Sequence, residues 1–440
     1  MKTSWFSSGM YAIADRFVAL LFGFGSIYLL LRLLSKEDFG EWALFITVTA
    51  LVEVARNGLI QNALIKYLAA TDNTQHSRIN TASLVLNLLL TALSIVSLWA
   101  LAPVFSHLWT AKQLPPLFQV YSLTTLMLVP FSQSLFLQQS NLDFKAIFWS
   151  NFVRQGIFFA YVVLCFALHR PITLFNLAIW QVWGALGGTL VAYWLAKNYW
   201  HLSSHIDWRW VNRLFQFGKY VLGTNLAAMI YKSVDKMMLG AILPTKAPVA
   251  AYDVAIRINN LNEVPTLSLA AMLFPESAKR AHQQGNDSVG QLYEQSVGIM
   301  LALVVPGVII ICLFPELIIR LTAGTKYLDT VNILRLTSLY TLFLPFAIQF
   351  GTAFDSMGKP QLNFAFVVAG TALNAAINYF LIHKYGLEGA VYATLITFVL
   401  TFIGNQLLLR KMLNVRFSNI FKHTLAAYKM GWEKIVSYKL

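Results

Sequence analysis

Residues 225–243 read NLAAMIYKSVDKMMLGAIL, and this stretch decides how the rest of the chain is interpreted. It is apolar and long enough to cross a bilayer, which takes about 20 residues of α-helix. It nevertheless carries Lys232, Asp235 and Lys236 near its middle. A charge at the centre of a membrane helix costs roughly 2.5–3.5 kcal/mol on insertion scales, so it persists where it faces protein or water. The stretch therefore predicts a membrane helix with one polar face.

The composition of the 440-residue chain is that of a membrane protein. Hydrophobic residues make up 57% and charged residues 12% of the chain, whereas a soluble domain carries about 25% charged residues. Lys and Arg outnumber Asp and Glu by 33 to 19. In a membrane protein an excess of basic residues indicates how the chain is oriented across the membrane. We therefore do not interpret it as a sign of nucleic-acid binding, and we expect no nucleic-acid partner. The apolar settings of Cys165 and Cys312 predict small buried or lipid-facing residues and no metal site.

About twelve apolar segments are long enough to span a membrane. In chain order, as spans 1 to 12, they cover roughly 9–33, 40–67, 79–105, 115–139, 145–168, 172–196, 216–243, 248–274, 292–321, 331–355, 361–383 and 387–410. No small-residue cleavage pattern follows span 1, so we expect it to remain as an anchor. We therefore predict an all-α polytopic membrane protein with about 12 transmembrane helices.

The distribution of basic residues predicts the orientation. With the N-terminus inside, the inner loops hold about 18 Lys and Arg residues and the outer loops about 6, so we expect both termini in the cytoplasm. The aromatic run YWHLSSHIDWRW (199–210) is predicted to form an interfacial helix with Trp200, Trp208 and Trp210 at headgroup depth. For the basic tail after Arg410 two alternatives stay open, which are contact with anionic lipid and a frayed polar end.

Two similar motifs indicate an internal duplication. LMLVPF ends at Phe131 and LFLPF ends at Phe346, about half a chain apart, and a polar turn follows each. With six spans in each half, both halves begin on the same side of the membrane. The two halves are then related by an axis along the membrane normal, and we expect a central cavity between two six-helix lobes. The predicted domains are an N-terminal lobe, an interfacial cytoplasmic linker, a C-terminal lobe and a basic cytoplasmic tail, at 1–197, 198–215, 216–412 and 413–440.

Charged residues recur within several other spans. Span 8 places Asp253 and Arg257 at i,i+4, and span 2 places Glu53 and Arg56 at i,i+3. One interpretation is that each acid neutralises a base on its own helix. Arg154 on span 5 has no acid nearby in sequence. The other interpretation is a polar cavity with a slight excess of cations, which favours an anionic ligand such as phosphate.

The cavity interpretation predicts which residues contact the substrate and which couple transport to an ion. The predicted substrate contacts are Arg16, Arg56, Arg154, Lys232, Lys236 and Arg257. A carboxylate in a low-dielectric cavity can take up a proton or coordinate sodium. The predicted ion-coupling candidates are Asp15, Glu53, Asp235 and Asp253.

Signals of an enzyme are weak throughout the chain. The sequence has no GxxxxGK[ST] phosphate loop, no HExxH and no CxxC, and its eight histidines are scattered. No predicted outer loop is long enough for a glycosyl-transfer or polymerase site. We therefore expect a protein without catalytic activity or cofactor.

Four segments resemble one family in their order and spacing. LLLRLLSKEDFGEWALF (29–45) is similar to the first-loop signature of bacterial polysaccharide flippases, an Arg-Leu-Leu run, a short acidic turn and a Phe-Gly pair. FGKYVLGTNLAAMIYKSVDKMMLGAILPTKAPVAAYDVAIRI (217–258) shares their FG opening and basic/acidic pair. SMGKPQLNF (356–364) and YGLEGAVYATLI (385–396) are similar to their entries to spans 11 and 12. The chain thus resembles the polysaccharide transporter family of the multidrug/oligosaccharidyl-lipid/polysaccharide (MOP) exporter superfamily.

The resemblance implies a function. Such proteins flip an undecaprenyl-diphosphate-linked oligosaccharide, a repeat unit of O-antigen, capsule or exopolysaccharide, across the bacterial inner membrane. Membrane lipid and the polysaccharide-assembly machinery are the implied partners. The cations of spans 1, 2, 7 and 8 in this family correspond here to Arg16, Arg56, Lys232 with Lys236, and Arg257.

Other functions stay open at this point. An ion-coupled drug exporter of the same superfamily would need a cavity of acids and aromatic residues for cationic drugs, and the basic excess here points the other way. An enzyme of lipid-linked sugar assembly would need a large outer loop. A scaffold without transport would have a dry interior in which every charge is paired.

Overall fold

The computed structural model describes residues 2–283 and 285–437, and every regular element within them is helical. The first part of the chain contains α1 (Lys2–Leu33), α2 (Lys36–Ala70), α3 (Asn73–Leu108), α4 (Leu114–Ser140), α5 (Phe144–Ala167), α6 (Leu174–Ala196) and α7 (Trp208–Ile242). The second part contains α8 (Ala247–Gln283), α9 (Asn286–Leu313), α10 (Pro315–Thr322), α11 (Val331–Tyr340), α12 (Leu344–Ser356), α13 (Pro360–Tyr385), α14 (Leu387–Leu413) and α15 (Phe417–Ser437).

Most of these helices have the length and composition of membrane spans. In the described part of the chain, 10 helical segments are long and apolar enough to cross a membrane. The helices α7 and α8 are not among them, although both are longer than 30 residues. These are the two helices that carry the charges of predicted spans 7 and 8. When they are included, the number of spans agrees with the sequence prediction.

Predicted spans 9 and 10 are each interrupted. Span 9 was expected as one helix, but α9 ends at Leu313 and α10 follows as a separate short helix. Phe314 between them is non-helical, with φ −122° and ψ 40°, because a proline disfavours the α conformation in the residue before it. Span 10 is divided by a 3₁₀ turn at Thr341–Phe343, which ends two residues before Pro345. A proline lacks the N–H that would continue the α-helical hydrogen bonds.

The aromatic run before α7 is not an interfacial helix. Residues 200–207 have no helical structure, and α7 begins at Trp208. The backbone of this loop bonds to α3 instead, where the N–H of Ser203 donates to Thr81 Oγ1 at 2.8 Å. Trp208 is exposed, whereas Trp210 is buried and Trp200 is half-buried. The indole of Trp200 donates to a serine hydroxyl of α4.

The basic tail is folded over most of its length. Residues 417–437 form α15, which packs on α9. Ile420 is fully buried in the apolar core of this region, and a Cβ on Gly298 of α9 would come within 2.6 Å of His423 Cβ. A frayed end is therefore wrong for this segment. Lys439, which the prediction included, lies outside the described residues.

The chain divides into two compact units. Unit 1 contains residues up to 230 and 244–247, and unit 2 contains residues 231–243 and 248–440. This division differs from the predicted lobe boundary at residue 216, because the first part of α7 packs within unit 1. Gly218 lies so close to the carbonyl group of Leu59 that an added Cβ would overlap its oxygen. The central cavity between the lobes stays a prediction.

The connection between α7 and α8 packs on α2 within unit 1. The backbone N–H of Lys246 donates to Glu37 Oε2 at 2.5 Å, and Gly40 leaves room for the carbonyl group of Lys246. Burial lowers the pKa of the Lys246 amine, and the carboxylates of Glu37 and Glu41 act in the opposite direction. The connection is therefore held by specific backbone contacts.

Candidate functional site

Unit 2 contains a cluster of three charged side chains from α7 and α8, arranged around one buried acid. Lys236 Nζ donates to Asp253 Oδ1 at 2.9 Å, and Arg257 Nε donates to Asp253 Oδ2. The side chain of Asp253 is 2% exposed, whereas those of Lys236 and Arg257 are 16% and 29% exposed. The predicted pair Asp253–Arg257 is therefore present, with Lys236 as a third member. Because two cations share one carboxylate, the cluster carries a net positive charge.

A second ion pair joins the same two helices. Lys232 Nζ lies 2.8 Å from Glu263 Oε1, and the lysine side chain is 61% exposed. The side chain of Glu263 is only 11% exposed, so the lysine supplies the counter-charge of a largely buried acid. The exposed ammonium group of Lys232 can still donate to an anionic ligand while it keeps this contact.

Asp235 lies in a different environment from the two lysines of α7. Its carboxylate accepts hydrogen bonds from Tyr252 Oη at 2.6 Å, Asn378 Nδ2 at 2.6 Å and Thr394 Oγ1 at 2.9 Å. These donors come from α8, α13 and α14. The carboxylate is buried, and no cation forms an ion pair with it among the residues that the structure describes.

The interpretation that each acid neutralises a base on its own helix is therefore wrong for Asp235. Successive residues of an α-helix point about 100° apart, so Asp235 and the adjacent Lys236 project in different directions. Lys232 and Lys236 reach acids of α8 instead. The polar stripe of α7 is thus divided between a cationic face and a neutral network around Asp235.

Unit 1 contains a polar cavity of about 230 Å³. The polar residues that line it are Glu53, Arg56, Asn57, Gln61, Ser132, Gln139, Asn151 and Arg154. Three atoms of this set, Arg56 Nε, Asn57 Oδ1 and Arg154 Nε, are buried and have no hydrogen-bond partner in the described part of the chain. A buried polar atom without a partner costs free energy, so these atoms favour a bound polar ligand or water.

The two arginines of this cavity are held by their backbone surroundings. Arg56 is 2% exposed and donates from Nη1 to the carbonyl oxygen of Thr125 at 2.8 Å. Arg154 lies with its guanidinium carbon 5.0 Å from the ring centroid of Phe131. On α6, a Cβ on Gly184 would lie 2.6 Å from the carbonyl oxygen of Arg154. The small residue lets α5 and α6 approach closely, which fixes the position of the arginine.

The two acids of unit 1 that were predicted as ion-coupling candidates accept hydrogen bonds from neutral donors. Glu53 accepts a hydrogen bond from Tyr121 Oη at 3.0 Å, and Asp15 accepts one from Asn151 Nδ2 at 3.0 Å. The expected pairing of Glu53 with Arg56 is wrong, because the arginine reaches a backbone carbonyl instead. Arg16 is exposed on α1, and within the described residues its guanidinium bonds to none of the other candidates.

The structure adds site residues that the sequence analysis missed. The partners of the acids, Tyr121, Tyr252, Asn378 and Thr394, were not singled out. Asn374 and Asn378 lie four residues apart in an apolar span, and this spacing could have indicated a polar site. In the structure their side-chain amides bond to each other at 2.9 Å. No group of three or more His, Cys, Asp or Glu side chains could hold a metal ion in the part of the chain that the structure describes.

Comparison with known families identifies the chain. Residues 29–332 match the model of a family described as polysaccharide biosynthesis protein. The chain belongs to this family. The resemblance to a family of polysaccharide biosynthesis is thereby confirmed.

Curated relatives of this chain come from archaea and bacteria. An uncharacterised membrane protein of Methanocaldococcus jannaschii is 25% identical over 209 residues, 48% of this chain and 41% of that protein. A probable low-salt glycan biosynthesis flippase of Haloferax volcanii is 21% identical over 204 residues, 46% and 43% of the two chains. A putative O-antigen transporter of Shigella flexneri is 24% identical over 213 residues, 48% and 50%. The chain spans half or less of the length of these relatives.

Solved structures show the same fold. An inward-facing multidrug resistance MATE family transporter of the MOP superfamily superposes with a TM-score of 0.78 at 16% identity, over 91% of this chain and 98% of that one. The lipid II flippase MurJ, in an inward closed conformation, superposes with a TM-score of 0.77 at 14% identity, over 97% and 92%. The predicted all-helical, multi-pass membrane fold is confirmed.

Proposed function

We propose that this protein flips a lipid-linked oligosaccharide across the membrane by alternating access. The proposed substrate is an undecaprenyl-diphosphate-linked repeat unit of O-antigen, capsule or exopolysaccharide. The proposed location is the bacterial inner membrane, with both termini in the cytoplasm, in agreement with the bias of basic residues.

The observation that carries the proposal is the sharing of Asp253 by two cations. A buried carboxylate that bonds both Lys236 and Arg257 keeps the two cations in place and leaves one positive charge in excess. A diphosphate supplies the anionic oxygens that match this excess, and a guanidinium can donate two parallel hydrogen bonds to it. The exposed Lys232 lies on the same pair of helices and adds a further donor.

The polar cavity of unit 1 supports the same substrate. Its lining combines two arginines with amide side chains, which donate to and accept from hydroxyl groups. The unpartnered atoms of Arg56, Asn57 and Arg154 can bond the hydroxyl groups of a sugar or the oxygens of a phosphate. Arg16 is the weakest of the proposed contacts, because its side chain is exposed and does not line the cavity of unit 1.

Flipping breaks and forms no covalent bond, so the proposal includes no catalytic group. We propose that a proton or sodium ion drives the cycle and that Asp235 is the coupling residue. The other candidates are less suited. Asp253 is neutralised by two cations, and Asp15 and Glu53 lie near the arginines of unit 1. Asp235 instead bonds neutral donors only, so a cation could compensate its charge.

An ion-coupled multidrug exporter is the second candidate function. The fold similarity to the MATE family transporter favours it. The charge of the unit 2 cluster opposes it, because cationic drugs need acids that are not already paired with cations.

Complementation of a strain that lacks its polysaccharide flippase tests the proposal. The chain is expressed in this strain, and surface glycan and efflux of a cationic dye are both measured. We expect restored surface glycan without dye efflux. Dye efflux without restored glycan would establish the multidrug function instead, and neither activity in a membrane-inserted protein would contradict both.

A further inference from the structure

The C-terminal region contains a large cavity that the proposed function does not use. It has a volume of about 1220 Å³ and lies within unit 2, between α9, α14 and the start of α15. Its lining is divided by chemistry. Phe402, Ile403 and Leu407 of α14 form an apolar part, and Arg410 and Arg416 lie at the end where α14 passes into α15.

The acids that line this cavity are occupied by internal hydrogen bonds. Asp287 Oδ1 accepts from the side chain of Asn414 at 2.8 Å. Glu294 accepts the backbone N–H of Arg416 at 2.5 Å with one oxygen and the amide of Asn419 at 2.9 Å with the other. These bonds hold the corner between α14 and α15, where Asn414 has a left-handed backbone with φ 52°. The acids therefore act as structural acceptors within the corner.

The two arginines of the cavity remain available. Arg410 and Arg416 are both exposed, and neither guanidinium has a hydrogen-bond or ion-pair partner among the described residues. The sequence around them is strongly basic. Residues 389–432 contain five Lys and Arg residues and no Asp or Glu. This end of the molecule therefore attracts an anion.

The apolar part of the cavity selects the kind of anion. Ile403 and Leu407 are 48% and 65% exposed, and they belong to α14, which qualifies as a membrane span. The helix α15 continues the apolar surface with Phe417, Phe421 and Leu425, which are 45%, 50% and 68% exposed. Free phosphate would leave these side chains uncovered. A molecule with both an anionic headgroup and an acyl chain covers them.

We propose that this cavity binds one anionic phospholipid of the surrounding membrane. The phosphate lies between Arg410 and Arg416, and one acyl chain lies along Phe402, Ile403 and Leu407. The lipid would attach the C-terminal corner to the leaflet in which the basic tail lies. This lipid is distinct from the substrate of the proposed function, and its binding does not depend on transport.

Native mass spectrometry of the full chain in detergent tests this proposal with dioleoylphosphatidylglycerol and dioleoylphosphatidylcholine as probes. We expect one bound phosphatidylglycerol in preference to phosphatidylcholine. The double variant Arg410→Ala/Arg416→Ala should lose this preference by roughly thirtyfold, as for two basic residues near an anionic lipid. The matched control is Lys422→Ala/Lys429→Ala, which removes two charges from α15 outside the cavity lining and should keep the preference.

A second variant tests the acyl-chain part independently of charge. Ile403→Trp fills the apolar part of the cavity and should reduce binding of phosphatidylglycerol. Because Ile403 is exposed, this variant should fold, and it still tests the proposal if the arginine double variant does not fold. Equal binding in wild type and both cavity variants overturns the proposal. So does an equal loss in the lysine control, which would indicate diffuse surface attraction. Displacement of phosphatidylglycerol by undecaprenyl phosphate would assign the cavity to the substrate lipid instead.

Discussion

Lys236 of α7 and Arg257 of α8 bind opposite oxygens of one carboxylate, that of Asp253. The acid is almost fully buried, while both cations keep some exposure. The three side chains are therefore not equivalent. Loss of one cation leaves Asp253 paired, whereas loss of the acid leaves two partly buried cations without a counter-charge.

This asymmetry predicts different effects on stability. Asp253→Ala should lower the free energy of unfolding by about 3–5 kcal/mol, because removing one partner of a buried ion pair leaves uncompensated charge. Arg257→Ala should lower it by about 1 kcal/mol or less, because Lys236 still neutralises the acid. Thermal unfolding of the purified variants in detergent measures the difference. Equal losses in the two variants would contradict the shared-carboxylate interpretation.

The same cluster predicts a transport defect that is separable from stability. Arg257→Ala should abolish most glycan export at normal membrane expression, because the excess positive charge is lost, and Arg257→Lys should keep part of it. Arg320→Ala is the matched control, since Arg320 forms an exposed i,i+4 pair with Glu316 in the same unit. Surface glycan is measured in the complementation strain. Normal glycan with Arg257→Ala would remove this cluster from the substrate path.

Asp235 predicts a change in ion dependence. Asp235→Asn keeps the size of the side chain but removes the charge that would bind a proton or sodium ion. Transport in proteoliposomes should then no longer respond to a sodium or proton gradient. Asp355→Asn is the control, because Asp355 also bonds an asparagine amide but lies at the end of α12. A gradient response that survives Asp235→Asn would assign coupling to another residue.

Two glycines of α7 predict opposite effects of the same substitution. Gly218→Ala should destabilise the protein, because the added Cβ would overlap the carbonyl oxygen of Leu59. Gly223→Ala should stabilise it by up to about 1 kcal/mol, since alanine favours the helix and no atom lies within 4 Å of the added Cβ. Thermal unfolding of both variants provides the comparison. Equal melting temperatures would show that α2 and α7 are packed less closely than described.

Cysteine labelling tests the predicted orientation. Lys279→Cys should react from the cytoplasm and Lys326→Cys from the opposite side, in a chain where Cys165 and Cys312 are replaced by alanine. Both lysine side chains are exposed, whereas Cys165 is buried and Cys312 is half-buried. A membrane-impermeant maleimide applied to intact cells distinguishes the two sides. Reversed labelling would invert the whole topology.

The number and type of the membrane helices could be predicted from the sequence. A membrane span needs a long apolar segment, and such a segment is visible in the sequence itself. The breaks at Phe314 and Thr341–Phe343 were missed, although Pro315 and Pro345 cause them. The apolar character continues across both prolines, so hydropathy alone did not reveal the interruptions. The loop at 200–207 was misassigned because its tryptophans suggested a membrane surface, whereas backbone hydrogen bonds to α3 decide its conformation.

The charged residues of the site could be found from the sequence, but their partners could not. Asp235 and Lys236 are adjacent in the chain and bind different helices, α8, α13 and α14 for the first and α8 for the second. Spacing within one helix identifies a pair such as Asp253–Arg257, which lies at i,i+4. Pairs between helices depend on how each helix is rotated about its axis and how it packs on its neighbours. The sequence of a single helix does not determine either of these.

The ion pairs between α7 and α8 also bear on how the chain enters the membrane during synthesis. Neither helix qualifies as a span by its own composition, in the described part of the chain. The connection between them is only four residues long, from Leu243 to Lys246. The insertion machinery would therefore have to release them together, as a hairpin in which Lys232 and Lys236 already meet the acids of α8. A ribosome stalled after α7 alone would leave that helix outside the lipid.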